Sequence, residues 1–256
     1  MAYVYFAPRR AFKAARILAA DPDDLPQVFT IIESLSLNTL QRIGDRMKRS
    51  AIGRRLIEAK PDIVDQLADR EALARLPEGS LGRAYLAFVE REKISPQGIR
   101  EAGDKGMTGE VKVPPWLEWV HERMRDTHDV WHAATGYSGD VLGETALLAF
   151  IFAQTWNPGI GLIIAIGVSK TIGAPEARKT IFDGFRRGRK AAWLPDTDWE
   201  TLLALPVTEV RRRLKLGAPP VYTEIRSTEI KEAAAAQKRS GLRFSGSART
   251  PSVSAS

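Results

Sequence analysis

The chain has 256 residues, 44% hydrophobic and 27% charged, the makeup of a globular protein with room for a sizeable core in one large or two small domains. It lacks cysteine, which excludes disulfides and thiolate ligands, leaves nitrogen and oxygen to hold any metal, and fits a reducing compartment. The net charge of +7 sits at the two ends: residues 1–20 hold Arg9, Arg10, Lys13 and Arg16 and no acid, residues 227–256 hold five basic and two acidic residues, and the body between is neutral. That distribution argues against a nucleic-acid groove and suits an anionic membrane surface, or simple solubility.

In chain order the elements are helical; alternating strand patterns are scarce. "MAYVYFAPRRAFKAARILAA" places aromatics before charges, the reverse of a secretory signal, and reads as a basic amphipathic helix that also resembles a mitochondrial presequence. "DPDDLPQVFTIIESLSL" starts a second helix, with Val28, Ile31, Ile32 and Leu35 at helical spacing. A third is expected from a cap at Asn38 to a stop at Pro61, then one or two short helices ending near Pro77 and Gly79, and another in "SLGRAYLAFVEREK". "ISPQGIREAGDKGMTGEVKVPP" reads as a mixed connection. Helices follow at about 116–134, 140–156, 175–192 and 199–215.

The stretch "TALLAFIFAQTWNPGIGLIIAIGVSK" is the most apolar in the chain. Gln154, Asn157, Pro158 and Gly159 interrupt it, leaving no run of the roughly 18–20 apolar residues a membrane span needs, so two buried helices are expected. The expected fold is all-α: one domain of roughly ten helices, a basic segment at 1–24, a helical body at 25–226, and a disordered basic tail at 227–256.

"HDVWHAATGYSGDVLGE", residues 128–144, holds two of the chain's three histidines. At about 100° per residue, Asp129 lies about 100° and His132 about 40° around the axis from His128, so the three share one side of a helix. Imidazoles at i and i+4 can chelate one divalent ion. On one straight helix Glu144 would be turned away and far along the axis. A bend at Gly136, Ser138 and Gly139 would fold it back against the histidines, and Gly143 would permit close approach. Such a set of nitrogen and oxygen donors suits Zn, Fe, Mn or, less comfortably, Mg. The pattern is short, and histidines so spaced also occur as surface or hydrogen-bonded core residues. The apolar segment that follows, and the aromatic shell of Trp131 and Tyr137, favour a buried site that needs a partner. An HD-type phosphohydrolase would require more ligands than His121 supplies.

His-Asp-x-x-His, eleven residues, then Glu resembles the signature of the coenzyme Q biosynthesis family of the Coq protein four type. "LPEGSLGRAYLAFVEREKISPQGIR", "VLGETALLAFIFAQT" and "GFRRGRKAAWLPDTDWETLLALPVTEVRRRLKLGAPP" also resemble that family's segments, so the likeness covers about residues 25–222. It implies an all-helical fold, a divalent metal on His128, Asp129, His132 and Glu144, and an apolar tunnel for a prenyl tail. The implied role is in ubiquinone synthesis: oxidative decarboxylation at ring carbon one of a polyprenylated hydroxybenzoate, with carboxylate replaced by hydroxyl. It further implies peripheral membrane contact, other quinone biosynthesis proteins as partners, and a homodimer. The expected location is the cytoplasmic side of a bacterial membrane, or the matrix side of the mitochondrial inner membrane in a eukaryote. The chain departs at Ile151, where the family often carries a second acid.

The residues agree in kind. An N/O metal site beside a long apolar segment suits a lipid with a charged aromatic head. Arg125, one turn before His128, is a candidate partner for a substrate carboxylate, or else a solvated helix charge. Gln154 is a candidate tunnel contact, or else a helix–helix hydrogen bond. Leu147, Leu148, Phe150, Phe152, Ile160, Leu162, Ile163 and Ile166 are tunnel candidates, with plain core packing as the alternative. Beside the enzyme stand a non-catalytic prenyl-lipid scaffold that organises a quinone complex, and a pathway member that takes another isoprenoid.

Overall fold

The structure, a computed structural model, describes residues 4–107, 112–171 and 173–232. Among them helices carry the whole architecture; the only pairings of extended backbone are isolated bridges, Tyr5 with Leu37 and Ser80 with Pro206. α1 (Pro8–Ala20) buries Ala11, Ala14, Ala15 and Leu18 and starts at a proline, which needs no N–H partner there. α2 (Leu25–Ser34) packs on it. The single helix expected between Asn38 and Pro61 is two, α3 (Thr39–Met47) and α4 (Ala51–Ala59). Ser50 makes the break by accepting a hydrogen bond from the Gly53 amide at 2.8 Å, while Asn38 makes no side-chain cap.

The short helices α5 (Ile63–Ala68) and α6 (Arg70–Arg75) are capped by Asp62 and Asp69. α7 (Leu81–Glu92) is capped by Ser80. α8 (Pro96–Gly106), capped by Ser95, fills the connection expected to be mixed. The helix expected at 116–134 is interrupted at Thr127 into α9 (Pro115–Asp126) and α10 (His128–Thr135). α11 (Val141–Thr155) and α12 (Pro158–Lys170) are the two helices expected from the apolar stretch, capped by Asp140 and Asn157. α13 (Pro175–Lys190) leads through a 3-10 turn to α14 (Trp199–Leu202) and α15 (Val207–Arg213), which Pro206 separates. Among the described residues no helix is long and apolar enough to cross a membrane.

The start of the expected tail is attached rather than loose. Residues 227–232 are helical, and Lys231 Nζ reaches Asp21 at 2.9 Å and Asp23 at 2.7 Å. Residues 233–256, the rest of that tail, and residues 1–3 of the basic segment lie outside the described residues.

α11 runs through the centre of the one domain. α13 lies against one side of it, where Gly184 and Gly188 bring backbones together: a Cβ would stand 2.2 Å from the Ala146 carbonyl oxygen and 2.4 Å from that of Phe150. α10 packs on α7, and Trp131, Tyr85, Tyr137, Phe150 and Trp199 fill the core between. On the far side of α11, helices α1, α2, α9 and α12 surround a cavity of about 1360 Å³.

Candidate metal centre

The two histidines stand at the start of α10. His132 is one turn beyond His128, and their Nε2 atoms are 3.3 Å apart. The helix ends at Gly136, whose φ of +83° is the left-handed conformation that glycine adopts without strain. The chain then turns through Ser138 and Gly139 to Asp140. That carboxylate accepts from the Leu142 and Gly143 amides at 3.1 and 3.3 Å, from the Ile225 amide at 2.8 Å and from the Tyr222 hydroxyl at 2.9 Å. Asp140 thus fixes both the turn and the start of α11. Glu144 occupies the first turn of α11, where the helix dipole favours an acid. A Cβ at Gly143 would meet the Ser138 carbonyl oxygen at 2.2 Å, so only glycine lets the turn close this tightly.

Glu144 comes back over the histidines as the bend implied. Its Oε1 is 3.1 Å from His132 Nε2 and its Oε2 3.4 Å from His128 Nε2. The three residues offer donor atoms that all lie within 4.8 Å of one another. His132 Nδ1 is 3.0 Å from the Tyr137 carbonyl. A carbonyl can only accept, so Nδ1 carries a proton, which leaves Nε2 as the ring nitrogen turned toward Glu144 and available to a metal. This is how proteins orient a ligating imidazole. The Phe88 ring stacks on His132 at 4.8 Å and holds it flat. Two convergent imidazole nitrogens, one of them oriented through its far side, and a carboxylate fit a divalent cation with positions left for a substrate.

The electrostatics agree with the geometry. Burial would push the Glu144 carboxyl up, but the neighbouring imidazoles outweigh it and hold the acid well below the usual carboxylate range. Its side chain keeps 42% of its surface open, and it lines the cavity. Burial would likewise push His132 down; the Glu144 and Asp129 charges and the Tyr137 carbonyl raise it instead.

Asp129 is not among the groups that meet. Of the four expected ligands the structure brings His128, His132 and Glu144 together, while Asp129 lies further around α10, off the line shared by the two histidines. It is buried, and desolvation pushes its carboxyl up against the pull of both histidines. Its charge also acts on Tyr85 of α7.

The other expected contacts divide. Trp131 is buried among Phe150 and Trp199 and lines the cavity. Tyr137 serves through its backbone carbonyl; its ring lies in the core beneath Arg187, not on the cavity wall. Arg125 lines the cavity, with Nε on Asp126 at 2.9 Å and a longer 3.4 Å contact to the exposed Asp104. Gln154 does not line it. Its amide donates to the Gly188 and Ala192 carbonyls and accepts from the Leu194 amide, so it ties α11 to α13 and the chain beyond. Of the eight tunnel candidates, Leu148, Ile160, Ile163 and Ile166 line the cavity; Leu147, Phe150, Phe152 and Leu162 pack elsewhere. Ile151, at the position of departure, lines it as an apolar residue. Sequence reasoning missed Phe88, Asp140 and Tyr222. The Asp140-Val-Leu-Gly start of α11 was the one local signal, since an acid at that position is a common cap.

Residues 10–220 match the family described as "Coenzyme Q (ubiquinone) biosynthesis protein Coq4". The mitochondrial ubiquinone biosynthesis protein coq4 of Aspergillus clavatus is 32% identical over 73% of this chain and 64% of its own length. That of Aspergillus fumigatus is 31% identical over 81% of this chain and 70% of its own. The chain therefore spans about two thirds of these relatives. A crystal structure of a Nostoc punctiforme protein assigned to ubiquinone biosynthesis superposes with a TM-score of 0.58 at 25% identity, over 83% of this chain and all of that one. With the helical body, the convergent histidines and the returning glutamate in place, the match over four fifths of its length settles the lineage: this chain belongs to the coenzyme Q (ubiquinone) biosynthesis protein Coq4 family.

Proposed function

We propose that the protein acts in ubiquinone synthesis as a metal-dependent enzyme that replaces the ring carboxylate of a polyprenylated hydroxybenzoate by hydroxyl. The observation that carries this reading is the junction of the metal donors with the cavity: His128 and Glu144 form part of the same wall as Leu148, Ile160 and Ile163. A volume of about 1360 Å³ exceeds the roughly 300–1,000 Å³ of sites for drug-sized ligands, and suits a long apolar tail behind an aromatic head.

His128, His132 and Glu144 would hold the metal, with Asp129 as a buried acid beside them rather than a fourth direct donor. A bound divalent ion would supply Lewis-acid polarisation of the substrate oxygens and, if iron or manganese, reactivity toward dioxygen. The overall change consumes the carboxylic acid, one dioxygen, two electrons from a reductant and two protons. It releases the phenol, carbon dioxide and water. The apolar walls seat the tail and keep water from the head. Arg125, one turn before His128, would meet the carboxylate by giving up its long contact to Asp104 while Asp126 keeps the guanidinium in place.

The test is a pair of substitutions, His132→Ala and Glu144→Ala, in cells that depend on this protein for quinone. The expected outcome is normal protein abundance, loss of quinone and accumulation of a carboxylated prenyl ring. Quinone synthesis maintained by the folded variants would assign the protein a non-catalytic scaffold role instead.

A further inference from the structure

We infer that Arg187 and Arg211 are positioning residues for the metal centre: they clamp the far end of α10 and so set how tightly His128 and His132 hold an ion. The inference rests on the reading of His128, His132 and Glu144 as metal donors.

α10 carries both histidines in eight residues, and a helix that short does not hold itself together in water. The carbonyls of a last helical turn have no partner within the helix. In α10 each of them is met. The Gly136 amide donates to the His132 carbonyl at 2.8 Å. The next three carbonyls go to guanidiniums from two other helices. Arg211 of α15 donates to Ala134 through Nε at 2.8 Å and to Ala133 through Nη2 at 3.2 Å. Arg187 of α13 donates to Thr135 through Nη2 at 2.7 Å. Arg187 also holds the Leu216 and Ala218 carbonyls, and its guanidinium lies over the Tyr137 ring, 4.9 Å from the ring centre. Tyr137 is the residue whose carbonyl orients His132. Contacts therefore run unbroken from Arg187 through Tyr137 to the imidazole.

For the fold alone this is an unfavourable way to place two cations. Neither guanidinium has a carboxylate partner among the described residues; carbonyls alone meet their N–H groups. Burial, and then the charge of Arg187, push the Arg211 guanidinium down, and the buried Nη1 of Arg187 donates to nothing. The negative end of α10 offsets that cost. One cation would serve as a cap. Two, brought from α13 and α15 onto consecutive carbonyls, fix the rotation of α10 as well as its position. Rotation is what the site is sensitive to: Asp129, about sixty degrees further around the axis than His132, is already outside the group that Glu144 completes. Groups that orient a ligating imidazole from behind set metal affinity, and these two arginines stand one contact further back.

The experiment is titration of the metal-free full chain with cobalt(II), read by its visible absorption band and by competition with a chelator of known affinity. Arg187→Gln and Arg211→Gln should each weaken cobalt binding about tenfold or more and shift the band. Leu56→Ala empties a buried position in a cluster that holds no residue of α10; it should lower stability yet bind within about twofold of the wild type. Arg187→Lys/Arg211→Lys keeps both charges at the helix end but loses the forked donors, so it should fold and still bind about threefold or more weakly. Wild-type affinity in the folded Gln or Lys variants would overturn the inference and leave the metal centre standing. So would a loss that Leu56→Ala reproduces at equal Tm. A wild type that takes up no cobalt would remove the metal centre itself, and this inference with it.

Discussion

The two sides of α11 differ in a way their residues do not announce. Against α13 the helix is packed backbone to backbone, with Gly184 and Gly188 over the Ala146 and Phe150 carbonyls and Gln154 joined to three backbone groups. Toward α12 the same helix leaves about 1360 Å³ open. Both sides are aliphatic. What separates them is the partner: small residues let α13 close in, whereas bulky isoleucines on α12 meet a void bordered by α1, α2 and α9. A protein that closes one side of a central helix and leaves the other open has a rigid platform for Glu144 and a space beside it for a ligand.

The largest expected effect is at the closed side. Gly184→Val places a side chain where a Cβ is already 2.2 Å from a carbonyl oxygen, and should cost about 3 kcal/mol or more, lowering Tm by about 6–12 °C. Leu147→Ala, fully buried, should cost about 3 kcal/mol, while Ile166→Ala, half-buried on the cavity wall, should cost under about 1 kcal/mol yet weaken retention of co-purified lipid. Equal costs in urea unfolding would break the contrast. Gln154→Leu strands two carbonyls and the Leu194 amide, and should cost about 2 kcal/mol without changing lipid content.

The smallest effect concerns the segment that ends on the cavity wall. Burial pushes the Glu92 carboxyl up, but Arg226 and Arg91 outweigh it and hold it low. Glu224 is held low too, by hydrogen bonds from Ser138 and Arg226. A carboxylate held low stabilises at pH above its unfolded value, about 4.3, and loses that contribution as pH falls through the folded one. Arg226 is 39% exposed, so screening limits the effect to about 1 kcal/mol. Limited proteolysis near residues 222–232 should therefore quicken below about pH 4, and Arg226→Ala should already cleave faster at neutral pH.

The helical class and the site's plan were legible because both rest on local rules: 3.6-residue spacing, and a glycine bend between His132 and Glu144. Helix breaks were less so. Ser50 ends α3–α4 continuity in a stretch that holds no proline, and Thr127 interrupts α9–α10 without glycine or proline. Asp129 illustrates the limit of spacing arguments: sharing one side of a helix with His128 and His132 did not place it in the group that Glu144 completes, since it lies about sixty degrees further around the axis than His132. Which isoleucines line the cavity depended on the placement of α1 and α2, far away in sequence.

In the proposed centre α10 and α11 grip one divalent ion between His128, His132 and Glu144. Elemental analysis of protein purified without added metal tests it most directly, with His132→Ala prepared alongside. The expected result is about one bound ion per chain in the wild type, a Tm that falls by about 5–10 °C on chelation, and neither ion nor chelator response in the variant. A folded His132→Ala protein that keeps a stoichiometric ion, or a wild type that binds none, would contradict it.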